Sequence, residues 1–302
     1  MVARGGDALK SAPAEVRGEL AAAAFAVACA DTPLAPHLES MAQVPPEMRR
    51  LVEMKAAADR TGNVLVFGFQ FHFHPGLRRL KQLIDSGELG TVLYAHCHVG
   101  TYITLANSRS RYQASFDAAL LLDYAHQPDL LYWLLGRRPK GVYAAGCRGG
   151  SLEFQSNPNV ISLTCDYDEP LITSIHLNYL QSPERHDYEV VGDRAWARFD
   201  FGTGQLRVGR MGRDEVHQED ISVERDSMYV AEHEAFLGAI DGKSKPESPA
   251  ESALQAMEVF EASLRSWKEQ RRVVVADNGS TDGTWRAIQA GGAVPVLSLI
   301  HI

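Results

Sequence analysis

The sequence predicts an α/β chain: a helix-and-strand segment up to about residue 75, then a larger domain built on an open, mostly antiparallel sheet. Three observations carry this. A helix-period segment, Glu47 to Arg60, feeds a short apolar strand, Val64-Leu65-Val66-Phe67-Gly68, the alternation from which parallel α/β sheets are built. Six short strand-like stretches, Val142–Tyr143, Val160–Tyr167, Ile172–Tyr179, Tyr188–Gly192, Ala195–Phe201 and Gln205–Val208, follow one another with turn residues between them. Two amphipathic helices, Tyr229 to Ile240 and Ala250 to Trp267, close that part across a loop rich in Gly, Lys and Pro.

Taken in order, Glu15 to Ala28 reads as a helix because it is rich in Ala, Glu and Leu, and Asp31-Thr32-Pro33-Leu34-Ala35-Pro36 breaks it. The helix Glu47 to Arg60 spaces Met48, Leu51, Val52 and Met54 for one face and ends at the stop signal Thr61-Gly62-Asn63. Asn63 to Phe69 follows as a buried strand. From Pro75 come a helix, Gly76 to Asp85, a turn, Ser86 to Gly90, and an alternating strand, Val92 to His98. After a polar loop, one helix from Leu120 to Leu135 carries Asp123, His126 and Asp129 in an otherwise apolar run and stops at Gly136.

The 302 residues suit about two domains, and 45% apolar with 23% charged residues is an ordinary globular composition. A net charge of -8 without a basic run gives nucleic acid nothing to bind, so none is expected as a partner. The longest apolar run, Ala21 to Ala30, is about half the roughly 20 residues a membrane span needs, so no membrane partner is expected. Cys29, Cys97, Cys147 and Cys165 are scattered and form no C-x-x-C pair, which argues against a disulfide framework or a thiolate zinc site. Acidic Asp7, Glu15 and Glu19 precede the apolar run where a secretory leader is basic, and a cytoplasmic protein is expected.

Asp123 and His126, at i and i+3 of a helix, share a face on which a carboxylate can orient an imidazole and set its tautomer. Two readings fit: a general acid/base couple, or a polar pair bracing the start of the helix. His72 with His74, and His96 with His98, are i, i+2 pairs open to a metal on a strand, but no third ligand has a clear spacing and no metal is predicted. No G-x-G-x-x-G follows a strand anywhere, so the phosphate-binding half of a dinucleotide-binding domain is missing from the sequence.

The run Leu120-Leu121-Leu122-Asp123-Tyr124-Ala125-His126-Gln127-Pro128-Asp129 through Gly136 resembles the active-site helix of the glucose-fructose oxidoreductase and inositol dehydrogenase (Gfo/Idh/MocA) family. Four further motifs stand in family order: Phe67 to Leu77 continued by Ile84 to Val92, Tyr179-Leu180-Gln181-Ser182-Pro183, Glu189-Val190-Val191-Gly192, and Glu232 to Leu237. The resemblance covers about residues 20 to 272. It implies a truncated remnant of a Rossmann-type dinucleotide-binding domain over residues 1–75, and an α/β substrate and catalytic domain over 76–270.

The resemblance also implies an NAD(P)-dependent oxidoreductase that acts on a sugar or cyclic polyol by hydride transfer. His126 matches the family's acid/base and Asp123 its companion carboxylate; Thr32, Pro33 and Gln70 fall at cofactor contacts, His72 and Tyr179 at substrate contacts. A homo-oligomer is expected by the same resemblance. There are departures. Asp123 precedes His126 by three residues where many members have four, and Thr32 stands at the position of the catalytic lysine. His72 stands where the family often carries Arg, and Phe116-Asp117-Ala118-Ala119 replaces the Gly-rich approach to the helix. Loss of the phosphate-binding loop and of the catalytic lysine implies impaired activity, and the alternative is a non-catalytic sugar-binding or oligomerising module derived from the family.

Residues 271–302 read differently. Val273 to Thr284 resembles the first strand and turn of family 2 glycosyltransferases, with Asp277 at the nucleotide-holding position, and the last six residues are also the translation of a transposase adapter. A fusion or sequencing artefact is expected there.

Overall fold

A computed structural model of the chain describes residues 46–102, 118–151 and 156–275, in two compact units. The expected helix Glu15 to Ala28, the pair Thr32 and Pro33, and the tail beyond Val275 lie outside the described residues.

The smaller unit holds described residues 46–68 and 229–254. Helix α1, Pro46–Thr61, ends as its sequence requires: Thr61 donates its hydroxyl to Ala57 O (2.8 Å), and Gly62 takes the left-handed φ of +66° that glycine tolerates. The expected buried strand Asn63 to Phe69 is not one. Val64 to Phe67 are half-buried, and their only sheet contact among the described residues is an isolated bridge from Val66 to Pro249. The apolar run has strand propensity, but a proline opposite it has no N–H with which to extend a ladder.

The larger unit holds described residues 69–228 and 255–275. A 3₁₀ turn, Gln70–Phe73, leads into α2, Pro75–Asp85. Pro75 takes the first helical turn, and His74 caps it by accepting the Gly76 N–H at Nδ1 (3.1 Å). Nine strands then form one sheet: β1 Val92–Gly100, β2 Gly141–Cys147, β3 Val160–Asp166, β4 Ile172–Asn178, β5 Arg185–Gly192, β6 Ala195–Asp200, β7 Gln205–Arg210, β8 Val216–Asp220 and β9 Val273–Val274. Their order is β8-β7-β6-β5-β1-β4-β3-β2-β9. Only β1 and β4 pair in parallel, so the sheet is mixed and mostly antiparallel, as expected.

Two strands were not foreseen in the sheet. β8 is exposed along its length and lacks an apolar alternation to announce it. β9 begins the stretch that resembles a glycosyltransferase strand, yet it pairs with Gly141 and Val142 at the sheet edge, and Arg272 grips Asp166 there at 2.6 and 2.7 Å.

One face of the sheet carries the core. Ala95, Cys97, Ile161, Ile175, Leu177, Tyr188, Val190, Ala197 and Phe199 turn inward, and Leu77, Leu80 and Leu83 of α2 are almost fully buried. Each such leucine contributes about 1.5–3 kcal/mol by leaving water. Helices α3, Ala119–Asp123, and α4, His126–Leu135, belong to this unit, as does most of α6, Ala250–Glu269; α5 is Arg225–Ile240. Ser266 of α6 ties to the sheet by accepting the Ala144 N–H at 2.9 Å and donating to Arg271 O at 2.5 Å. The other face alternates Tyr94, His96 and His98 with inward residues and stays partly exposed.

Gly192, at the end of the quoted Glu-Val-Val-Gly motif, has a packing reason. A Cβ there would lie 2.0 Å from Leu89 O and 2.7 Å from its carbonyl carbon, which are backbone atoms unable to swing away. Gly192→Ala is therefore expected to destabilise the chain by about 2 kcal/mol or more, read from urea denaturation. An unchanged midpoint would contradict this account of the turn between α2 and β1.

Candidate active site

The helix expected over Leu120 to Leu135 is two helices. Pro128 has no N–H to give the Tyr124 carbonyl at i−4, so that carbonyl takes the Gln127 N–H instead (3.0 Å), and Ala125 N–H tightens onto Leu122 O (3.2 Å). The chain breaks at Tyr124–Ala125. Asp123 therefore closes α3 and His126 opens α4, and the two do not share one helical face. Ala118, before α3, holds φ +62°, a left-handed conformation that costs a non-glycine residue roughly 1–2 kcal/mol. This is the position of the Gly-rich approach whose absence the sequence showed.

His126 and Asp123 are both partly exposed. The His126 ring stands edge-on to Phe69 and Phe71, with centroids 5.5 and 5.4 Å away. Asp123 accepts a short hydrogen bond from the Tyr179 hydroxyl. Tyr179 is fully buried, and burial with the adjacent Asp123 charge pushes its phenol well above the usual range, so it stays a donor. The structure brings Tyr179 to Asp123, not to an open cleft. Gln70 opens the 3₁₀ turn between the two phenylalanines and is partly buried.

His72, expected at a substrate contact, lies beneath this arrangement. It is fully buried, with Nε2 2.7 Å from Asp129 Oδ2, which is also fully buried. Its ring stacks on Trp133 at 4.8 Å and on Phe69 at 6.0 Å. Burial pushes the Asp129 carboxyl up, and the His72 hydrogen bond pulls it back. The next anchor is Gln127, whose Oε1 accepts from Tyr188 of β5 and from Cys97 of β1. The first turn of α4 is thus pinned at 127 and 129, with His126 presented between Phe69 and Phe71. The sequence carried one signal for this, a carboxylate at 129 inside an apolar helix; nothing in it marked Gln127, Phe69 or Phe71.

Further imidazoles lie in the same cluster. Burial lowers His74 to about 4 and His186 to about 3. His186 stacks on Phe201 at 3.9 Å and meets the edge of Phe71 at 5.5 Å. Unfolding restores both to about 6.5, so the unfolded chain binds more protons below that pH and stability falls as the solution is acidified. Between pH 6.5 and 5.5, above the range of ordinary carboxylates, the loss is expected to be about 2 kcal/mol. Urea melts at the two pH values check it, and a flat profile would mean that these rings are wet.

His96 and His98 share the partly exposed face of β1 with His176 of β4, whose ring centroid is 4.7 Å from that of His98. Among the described residues no group of three His, Cys, Asp or Glu is placed to hold a metal, and no helix is long and apolar enough to cross a membrane. Nor does any described strand enter a glycine turn and helix that could cradle a pyrophosphate, so these residues do not by themselves fit a dinucleotide.

Residues 77–198 match the family profile described as the GFO/IDH/MocA C-terminal domain. An inositol 2-dehydrogenase of Burkholderia lata is 33% identical over 152 residues, 49% of this chain and 42% of that protein. Inositol 2-dehydrogenase 3 of Saccharopolyspora erythraea is 35% identical over 86 residues, 28% of this chain and 23% of that protein. The chain thus spans less than half the length of the curated relatives it matches. Among solved structures, an inositol dehydrogenase homologue from Azotobacter vinelandii complexed with NAD+ superposes with a TM-score of 0.65 at 12% identity, covering 75% of this chain and 69% of that one. A scyllo-inositol dehydrogenase from Lactobacillus casei, with bound NAD(H) and scyllo-inositol, gives 0.62 at 16% identity, covering 76% and 70%. These structures establish the fold, and the sequence matches support the family.

Proposed function

We propose that this chain carries the substrate-binding and proton-transfer part of a Gfo/Idh/MocA-type oxidoreductase acting on a cyclic polyol or sugar. The observation that carries the reading is the presentation of His126 at the head of a doubly pinned helix, against the rings of Phe69 and Phe71. An imidazole so held has the geometry of a general base that takes the proton of a substrate hydroxyl as the alcohol becomes a ketone, and returns it in reduction. Asp123 is fixed by the Tyr179 hydroxyl. Phe69 and Phe71 give a ring substrate an apolar surface on which its C–H face can rest.

The named relatives and neighbours support an inositol-like substrate and NAD as the hydride acceptor, with NADP the other nicotinamide the resemblance allows. Thr32, where the resemblance puts the catalytic lysine, favours a second reading, a polyol-binding module without turnover. The two readings separate in one assay: the chain with myo- or scyllo-inositol and NAD+ or NADP+, followed by nicotinamide absorbance, beside calorimetric titration with the polyol alone. Turnover supports the oxidoreductase, binding without turnover supports the module, and neither would overturn both.

A further inference from the structure

The chain breaks just before α4, and Ala125 has no side chain with which to cap it, so the first turn of α4 is oriented largely by what its own side chains grip. A helix turns by about 100° per residue, which sets Gln127 about 100° to one side of His126 and Asp129 about 60° to the other. Both flanks are held. His72 of the 3₁₀ turn holds Asp129, and the sheet holds Gln127.

The grip on Gln127 comes from the middle of the sheet. Cys97 of β1 and Tyr188 of β5 lie directly opposite each other in antiparallel register, with further strands on either side of the pair. All three side chains are almost fully buried. The Tyr188 hydroxyl and the Cys97 thiol (3.3 Å) both donate to Gln127 Oε1, and an amide oxygen has two lone pairs to accept them. The hydroxyl is the stronger donor, since a thiol donates weakly. Burial pushes the Tyr188 phenol well above its usual range and the Cys97 thiol up as well, so both remain donors wherever an imidazole titrates.

We propose that Tyr188 is a positioning residue for His126: through Gln127 its hydroxyl fixes the roll of α4 about its own axis, and with it the place of the imidazole against Phe69 and Phe71. The inference rests on the reading of His126 given above. With only the Asp129 flank held, α4 can roll about that anchor. A roll of about 10° carries an imidazole nitrogen, roughly 7 Å from the helix axis, through about 1 Å. A misplacement of that size costs a reaction up to about 10²-fold in rate.

Tyr188→Phe in the full chain tests this, because the ring keeps its place beside His186 and Phe201 and only the hydroxyl goes. Two readouts are taken: the ring C–H resonances of ¹³C-labelled histidine, with His126 assigned by His126→Gln, and steady-state rates with myo-inositol and NAD+. The His126 signals, set by the edge-on rings of Phe69 and Phe71, are expected to shift, while those of His96 on the other face of the sheet stay. The expected fall in kcat is about 10–100-fold, with KM changed by less than about twofold. A mere loss of stability moves neither the His126 signals of the folded chain nor the rate per folded molecule. Gln127→Leu removes the same bond from its other end, so adding it to Tyr188→Phe is expected to cost little more. If the His126 signals stay in Tyr188→Phe, the role of Tyr188 is overturned and the His126 reading stands. If they shift and kcat holds, His126 leaves the chemistry and Tyr188 goes with it. If the parent turns over no inositol, the oxidoreductase reading falls and the His126 signals alone decide whether Tyr188 sets the imidazole. Should Tyr188→Phe not fold, the double variant, which leaves no buried amide unmatched, carries the same readouts.

Discussion

His126→Ala is expected to lower polyol turnover by about 10²–10⁴-fold while the chain stays folded, the usual loss when a positioned general acid/base is removed. The fold should survive because His126 is partly exposed and opens α4 without capping it, so that Ala gives up ring contacts with Phe69 and Phe71 near a surface. Circular dichroism and urea melts establish the intact fold, and steady-state rates with inositol read the loss. Tyr179→Phe should act in the same direction with a smaller effect, since it leaves the Asp123 carboxylate in place and deletes only the donor that orients it. A His126→Ala variant that turns over inositol at the parent rate would remove His126 from the chemistry.

The largest stability effect is expected at the pair beneath the site. Asp129→Ala leaves a fully buried imidazole without its acceptor, and His72→Ala leaves a fully buried carboxyl without its donor; each is expected to cost about 3–5 kcal/mol. The double variant His72→Leu, Asp129→Leu should recover most of that loss, because two apolar side chains need no partner in the same space. Urea denaturation of the two single variants and the double variant gives the coupling directly. Additive losses would mean that the bond between His72 and Asp129 does not hold the 3₁₀ turn to α4.

Much of this was legible in the sequence, and the failures have physical causes. The strands β1 and β3 to β7 announced themselves through alternation, and α2 through Pro75 and its leucines. β8 was missed because an exposed edge strand needs no apolar face. The single helix from Leu120 to Leu135 was wrong because an apolar run outweighed Pro128, whose missing N–H sets the break that separates Asp123 from His126. Of the candidate site, Asp123 and His126 could be read from residue type and resemblance. The fully buried settings of His72 and Tyr179 could not, since a side chain's partner 57 residues away in one case and 56 in the other leaves no local trace. Val64 to Phe67 shows the reverse: local propensity was clear, and tertiary pairing did not follow it.

The central claim is that a polyol docks with a hydroxyl on His126, and a crystal structure of the chain soaked with myo-inositol tests it most directly. The account predicts the ring resting against Phe71, with one hydroxyl within hydrogen-bond distance of the His126 imidazole. Inositol seated elsewhere, with His126 still edge-on to Phe69 and Phe71 and no hydroxyl beside it, would contradict the account.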